Sequence, residues 1–140
     1  MIRSYTDDDL EAVLDIWYRA SLEVHWFLPA EFFETERRLL AEQFLPYSET
    51  VVYELVNRVV GFLSLVGNEV GGVFVDPGYQ RQGIGRALMY DARAKRPYLE
   101  LSVFEENHSG RSFYASYGFR KIGRQINEET GHPELRLRLD

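Results

Sequence analysis

Apolar residues recur at Leu10, Val13, Leu14 and Trp17 with polar and charged residues among them, the i, i+3, i+4, i+7 spacing of a helix with one buried face. Thr6 followed by Asp9 has the form of a capping box, so the pattern predicts a short strand near Ile2 to Tyr5 and a first helix over about Asp7 to Ala20. A second helix is expected from Ala30 to Phe44, with Phe33, Leu40 and Phe44 turned inward, the charges of ETERR in water, and Pro46 ending it. From Val51 the period shortens to that of strands. TVVYELV, VVGFLSLV and EVGGVFV read as an antiparallel meander with tight turns at Asn57-Arg58 and Gly67-Asn68. A glycine-opened helix from Gly83 to Lys95 follows, then the strand YLELSVF, a short helix around Arg111 to Tyr117, and a last strand pair, FRKIGRQI and ELRLRL. Strands before and after helices, with one crossover, predict a mixed α/β (α+β) sheet of about seven strands flanked by helices, one domain over residues 1–140.

Composition narrows the chemistry. Acidic residues outnumber basic ones 22 to 16, a formal charge of −6, which argues against broad binding to nucleic acid and makes any anion site a local one. The absence of cysteine excludes disulfides, thiolate nucleophiles and cysteine-ligated zinc, and it suits a reducing cytoplasm. Three scattered histidines give no metal-ligand spacing, so no metal is expected. MIRSYTDDD has no basic-then-apolar pattern of an export signal, and no apolar run is long enough to span a membrane, so a soluble cytoplasmic protein is expected.

The stretch VFVDPGYQRQGIGRALM carries the strongest local signal. Gly83-Ile84-Gly85 runs on into Arg86-Ala87-Leu88, so the third glycine of the dinucleotide fingerprint is missing. Gly78 and Gly83 have phosphate-loop spacing, but Ile84-Gly85 stands where that loop needs Lys followed by Ser or Thr. What remains is a strand, a glycine turn and a helix start, whose unpaired N–H groups and positive dipole end favour an anion, with Arg81 and Arg86 adding charge. The same pattern also serves as an ordinary strand-to-helix connection.

A second stretch, ENHSGRSFYASYGF, lies after the next strand. Together the two resemble the GNAT superfamily of acetyl-coenzyme A dependent N-acetyltransferases. The family's pyrophosphate signature, Q/R-x-x-G-x-G/A, is matched by Gln80, Gly83 and Gly85, and its N-x-x-A-x-x-x-Y-x-x-x-G-F signature by Asn107, Tyr114, Gly118 and Phe119. Gly110 departs from the usual alanine, so this helix is expected to start late or fray. The resemblance implies the GNAT fold, with a V-shaped cleft between the fourth and fifth strands, EVGGVFV and YLELSVF, into which the pantetheine arm inserts. It implies that backbone N–H groups near Phe74 and Val75 bind pantetheine and polarise the thioester. The turn of Gln80, Arg81, Gln82, Gly83, Ile84, Gly85 and Arg86 would hold the pyrophosphate, and Asn107 the pantetheine. Glycine in a strand often marks a bulge or a close approach, so Gly71-Gly72 fits a bulge that parts the two strands, as well as a loose hairpin end.

Direct acetyl transfer needs a proton for the departing thiolate, and the resemblance assigns it to Tyr114, a phenol that is protonated at neutral pH. The base is less well marked. Glu69 stands where some family members carry a catalytic carboxylate; a glutamate found in many N-terminal amine acetylating relatives is replaced by Ser102, with Glu100 on the same strand face and Glu105 expected in solvent. His25, Trp26 and Phe27 lie in a segment that borders the acceptor in this family, and they equally suit simple packing. Acetyl-coenzyme A and an amine are the implied partners, the amine being a small molecule or a protein lysine, with the acidic balance favouring a cation. Monomer and homodimer both fit. A non-catalytic acyl-coenzyme A binding module would keep the turn without needing Tyr114, and a purely structural domain would bind no coenzyme A.

Overall fold

Val51 and Val52 are neighbours, 7% and 0% exposed, yet they sit in different cores because strand side chains alternate between faces. The computed structural model describes residues 1–140 and arranges seven strands in one sheet. In chain order these are β1 (Ile2–Ser4), β2 (Glu49–Leu55), β3 (Arg58–Val66), β4 (Glu69–Val75), β5 (Leu99–Phe104), β6 (Arg120–Ile126) and β7 (Pro133–Leu139). Their order across the sheet is β1-β2-β3-β4-β5-β7-β6. Helices α1 (Leu10–Val24), α2 (Ala30–Leu39), α3 (Ile84–Lys95) and α4 (His108–Tyr117) flank it. One core packs Leu88, Met89 and Ala92 of α3 against Val60, Leu63, Leu99 and Leu101; the other packs Val13, Ile16 and Trp17 of α1 and Phe33 of α2 against Val52 and Phe62.

The elements follow the hydrophobic pattern, with four adjustments. The first helix opens as a 3-10 turn over Asp7–Asp9 and runs to Val24, four residues beyond the expected end. The second loosens into a π turn over Leu40–Phe44 before the 3-10 turn Leu45–Tyr47. That turn carries the Phe44 ring over β4, where a β-carbon on Gly71 would collide with it. The first hairpin turn lies at Val56-Asn57 and not at Asn57-Arg58, since Leu55 pairs with Arg58. Both turn residues have positive φ, 46° and 62°, as a two-residue type I′ turn requires. Val56 is 96% exposed there, so nothing offsets a β-branched residue in this conformation. Val56→Asn should raise the unfolding free energy by about 1 kcal/mol, read by denaturant titration. Finally, α4 starts at His108 and neither at Arg111 nor late: Asn107 Oδ1 accepts a 2.9 Å hydrogen bond from the Gly110 amide and caps the first turn. A β-carbon at position 110 would lie 2.6 Å from Asn107 Nδ2, so the glycine makes room for this cap and does not fray the helix.

Neighbouring strands are antiparallel except β4 and β5. Those two are parallel and share one residue pair, Glu69 with Glu100, whereas β5 pairs with β7 along its length from Leu99 to Phe104. Beyond that pair β4 and β5 separate, and the sheet opens into a V between them. On its other edge β4 keeps pairing with β3, but Val70 faces Leu65 and Gly72 faces Ser64, which leaves Gly71 as the extra residue of a bulge. The bulge bends β4 away from β5 where the split begins.

Candidate active site

The V between β4 and β5 continues into a cavity of about 1220 Å³, lined by β4 from Val70 to Val75, the turn before α3, α4, the end of α1, and residues 125–129. Strand groups of β4 that face β5 have lost their strand partner here. The Asp76 amide donates to the Val60 carbonyl of β3, so by alternation the Val75 amide points into the split and is free to hydrogen-bond an inserted chain, while the Val75 carbonyl accepts from Gln80 Nε2. At the C-terminal end of β4, the 3-10 turn Pro77–Tyr79 leads to a turn in which Arg81 and Gly83 have φ of 65° and 84°. Left-handed backbone at a non-glycine residue costs roughly 1 kcal/mol, and such strain gathers where chain shape serves a ligand. Gly83 is the N-cap of α3 and supplies no capping side chain. The N–H groups of Ile84, Gly85 and Arg86 therefore have no intrahelical acceptor and face outward at the positive end of the helix dipole.

Side chains fix this turn from two directions. Ile84 is 4% exposed and roots the helix start in the core, so only its amide can serve a ligand. Gly85 lets the turn approach α4, where its β-carbon would touch the Phe113 ring at 3.4 Å. Arg86 stacks over Tyr117 at 5.3 Å and donates to Ser116 Oγ at 3.3 Å. Arg81 and Gln82 are exposed, while Gln80 Nε2 donates to the Val75 carbonyl at 3.0 Å.

The strongest anchor had no marker in the pattern of motifs. Asp76, 3% exposed, accepts from Arg19 of α1 at 3.0 and 2.7 Å and from the Gly78 amide at 2.9 Å, and Arg58 stands 3.5 Å away. The Arg19 hydrogen bond holds the Asp76 carboxyl below the usual carboxylate range, against the opposing effect of burial. An Asp-Pro-Gly sequence suggests a side-chain-capped turn, but the partner lies on a distant helix. Because the folded-state pKa is depressed, this stabilisation is complete above the unfolded value near ~3.9 and is lost as pH falls through the folded one. Asp76→Asn should lower stability by about 2 kcal/mol near neutrality and flatten the acid limb of the melting temperature against pH. An unchanged acid limb would show that the pair contributes nothing.

Tyr114 lies on α4 and lines the cavity, its ring edge-on to Phe113 at 5.4 Å and near Phe119 at 5.6 Å. Burial pushes its phenol up to about 12, so it stays protonated at neutral pH. Asn107 lines the cavity too, but its side-chain oxygen is engaged in the α4 cap. His25 ends α1 at the cavity wall, edge-on to Phe104 at 5.2 Å and Phe27 at 6.1 Å, and burial holds its imidazole down to about 4, neutral at pH 7. Trp26 and Phe27 do not line the cavity. Trp26 is 71% exposed, and Phe27 packs between His25, Phe104 and His132.

Glu69 stands at the closed vertex of the V, outside the cavity lining. Arg136 binds both its oxygens, at 2.6 and 2.9 Å, and also reaches Glu100 at 2.9 Å and Ser102 Oγ at 3.0 Å. Glu105 pairs with Arg124 at 3.0 Å. These carboxylates staple β4, β5, β6 and β7 together. Other cavity residues had no motif to mark them: Ser21 of α1, Glu36 of α2, and Glu128 and Glu129 between β6 and β7. No group of three or more His, Asp or Glu side chains could hold a metal ion, and no helix is long and apolar enough to cross a membrane.

Comparison with known proteins finds the same architecture. Residues 46–121 match the family model described as an acetyltransferase (GNAT) domain. The peptidyl-lysine N-acetyltransferase YjaB of Escherichia coli (strain K12) is 34% identical over 141 residues, 99% of this chain and 94% of the relative. The solution structure of apo-form YjaB from Escherichia coli superposes with a TM-score of 0.88 at 30% identity, covering 99% of this chain and 95% of that one. The PaiA N-acetyltransferase of Thermoplasma acidophilum in complex with coenzyme A has the same fold, with a TM-score of 0.81 at 18% identity over 99% and 96% of the two chains.

Proposed function

The chain belongs to the GNAT acetyltransferase family, and from that premise we propose that it transfers the acetyl group of acetyl-coenzyme A directly to the side-chain amine of a lysine in a peptide or protein. The observation that carries this reading is the split between β4 and β5, which ends at a helix start with unpaired amides and positive φ at Arg81 and Gly83. An extended thioester arm needs a free strand edge, and a pyrophosphate needs a cluster of N–H donors; the two lie end to end here. The names of the YjaB relative and of a coenzyme A complex in the same fold support the lysine and the cosubstrate.

In the proposed reaction the neutral amine attacks the thioester carbonyl carbon while both substrates are bound, and no enzyme group becomes acylated. Amides near Phe74 and Val75 stabilise the developing oxyanion. The amide bond forms, the carbon–sulfur bond breaks, and the thiolate takes the Tyr114 proton. The proton lost by the acceptor nitrogen leaves through the open cavity, and the phenol is reprotonated from solvent. Glu69 is a poor place for the base in this reading, because using it would break two charge-assisted hydrogen bonds to Arg136 outside the cavity.

The test is a screen of lysine peptides, free amino acids and polyamines with acetyl-coenzyme A, reading thiol release and product mass. Transfer to a peptide lysine is the expected result. Calorimetric binding of coenzyme A with no transfer to any amine would favour a non-catalytic acyl-coenzyme A module, and no binding at all would overturn the reading.

A further inference from the structure

The two faces of the V carry different groups. Val73 and Val75 of β4 and Tyr114 of α4 pack against the core on the α3 side, whereas Phe74 of β4 and Phe104 of β5 pack against the core on the α1 side. Phe104 lies four residues beyond Glu100, and Phe74 lies five beyond its partner Glu69, one of the five being the extra bulge residue Gly71. The two rings therefore flank the split at one level and on one face, beside the Val75 amide. His25 lies against Phe104, with ring centroids 5.2 Å apart, and lines the cavity there. The phenol and the imidazole thus stand on opposite walls of the split.

The imidazole is held in place but its nitrogens are unused. Edge contacts with Phe104 and Phe27 fix its plane, and the His25 backbone N–H closes the end of α1 on the Ser21 carbonyl at 2.8 Å. No protein group hydrogen-bonds either ring nitrogen, and neither is among the sealed polar atoms that lack a hydrogen bond, so both keep accessible surface. A neutral imidazole carries an acceptor nitrogen and a donor N–H on one ring, and burial keeps this one neutral at pH 7. A lysine amine arrives mostly protonated, with a pKa near ~10.4, and cannot attack in that form. A carboxylate at this place would hold the ammonium as an ion pair, whereas a neutral imidazole in an aromatic wall favours the amine with its lone pair free.

We propose that His25 is a proton relay for the acceptor: one ring nitrogen takes a proton from the lysine ammonium, the other gives its own proton to water in the open cavity, and the amine left behind attacks the thioester. The inference rests on the lysine reading above and supplies the base that reading lacks. One N–H bond of the ammonium breaks, one forms on the ring, and one breaks on the ring's far side, so the imidazole ends as its other neutral tautomer. No charge is stored on the ring, as its burial requires. Exchange with cavity water restores the first tautomer, and the proton that the nitrogen loses as the amide bond forms follows the same route. Tyr114 meanwhile protonates the thiolate from the opposite wall.

The test compares single-turnover transfer to a lysine peptide and to the same peptide with an aminooxy group in place of the amine, a nitrogen that is unprotonated at pH 7. His25→Phe keeps a ring between Phe27 and Phe104, and His25→Gln keeps a polar group that cannot relay. Both variants should lower transfer to lysine by about 10²-fold and transfer to the aminooxy peptide by less than about threefold, with coenzyme A affinity unchanged. A merely structural role would slow both acceptors alike, so equal losses overturn the relay. So does wild-type speed on lysine in either variant, which would leave the proton to water or to the glutamates of the cavity. The wild type separates the two claims. If it acetylates a polyamine or free amino acid and no peptide, the lysine reading falls, while the same losses measured on that amine support the relay. Transfer to no amine at all overturns both.

Discussion

Tyr114→Phe should lower the single-turnover rate of acetyl transfer by about 10²-fold while leaving coenzyme A affinity nearly unchanged. The substitution removes one hydroxyl and keeps the ring that packs against Phe113 and Phe119. Burial holds the phenol up to about 12, so at neutral pH the wild-type group is always in the donating form. The proton is needed only as the carbon–sulfur bond breaks, so kcat and kcat/KM should fall together. Single-turnover measurement matters because slow product release would mask the loss in steady state. Equal rates for the two proteins would remove the acid role and leave water to protonate the thiolate.

Gly83→Asp should reduce coenzyme A affinity by about tenfold or more relative to Gly83→Ala, measured by calorimetry. Both replacements meet open space, since no atom lies within 4 Å of the added β-carbon, and both carry the strain of a φ of 84°. Each should therefore cost roughly 1 kcal/mol of stability. Only aspartate brings a negative charge to the start of α3, where it would take the unpaired amides for itself and repel a pyrophosphate. Matching affinities for the two variants would place the anion away from this helix start.

Helix and strand identities were legible along the chain because each rests on short-range periodicity. Leu10, Val13, Leu14 and Trp17 define a helical face wherever the helix packs, and EVGGVFV is a short valine-rich run bounded by turn residues whichever strand it pairs with. The turn before α3 was legible for the same reason, since glycine at position 83 answers a local need for positive φ. The boundaries that shifted did so where a local preference was overruled. Asn107 caps α4 through space that Gly110 leaves, and Leu55 pairs with Arg58 so that the turn falls on Val56 despite its poor suitability. What only the tertiary structure decided is which distant residues meet. The bidentate Arg19–Asp76 pair joins residues 57 positions apart, and Arg136 reaches Glu69 across 67. A lone arginine or glutamate carries no period and no turn chemistry, so its partner is set by how the sheet and helices stack. That is why Glu69 looked available in the sequence and is engaged in the fold.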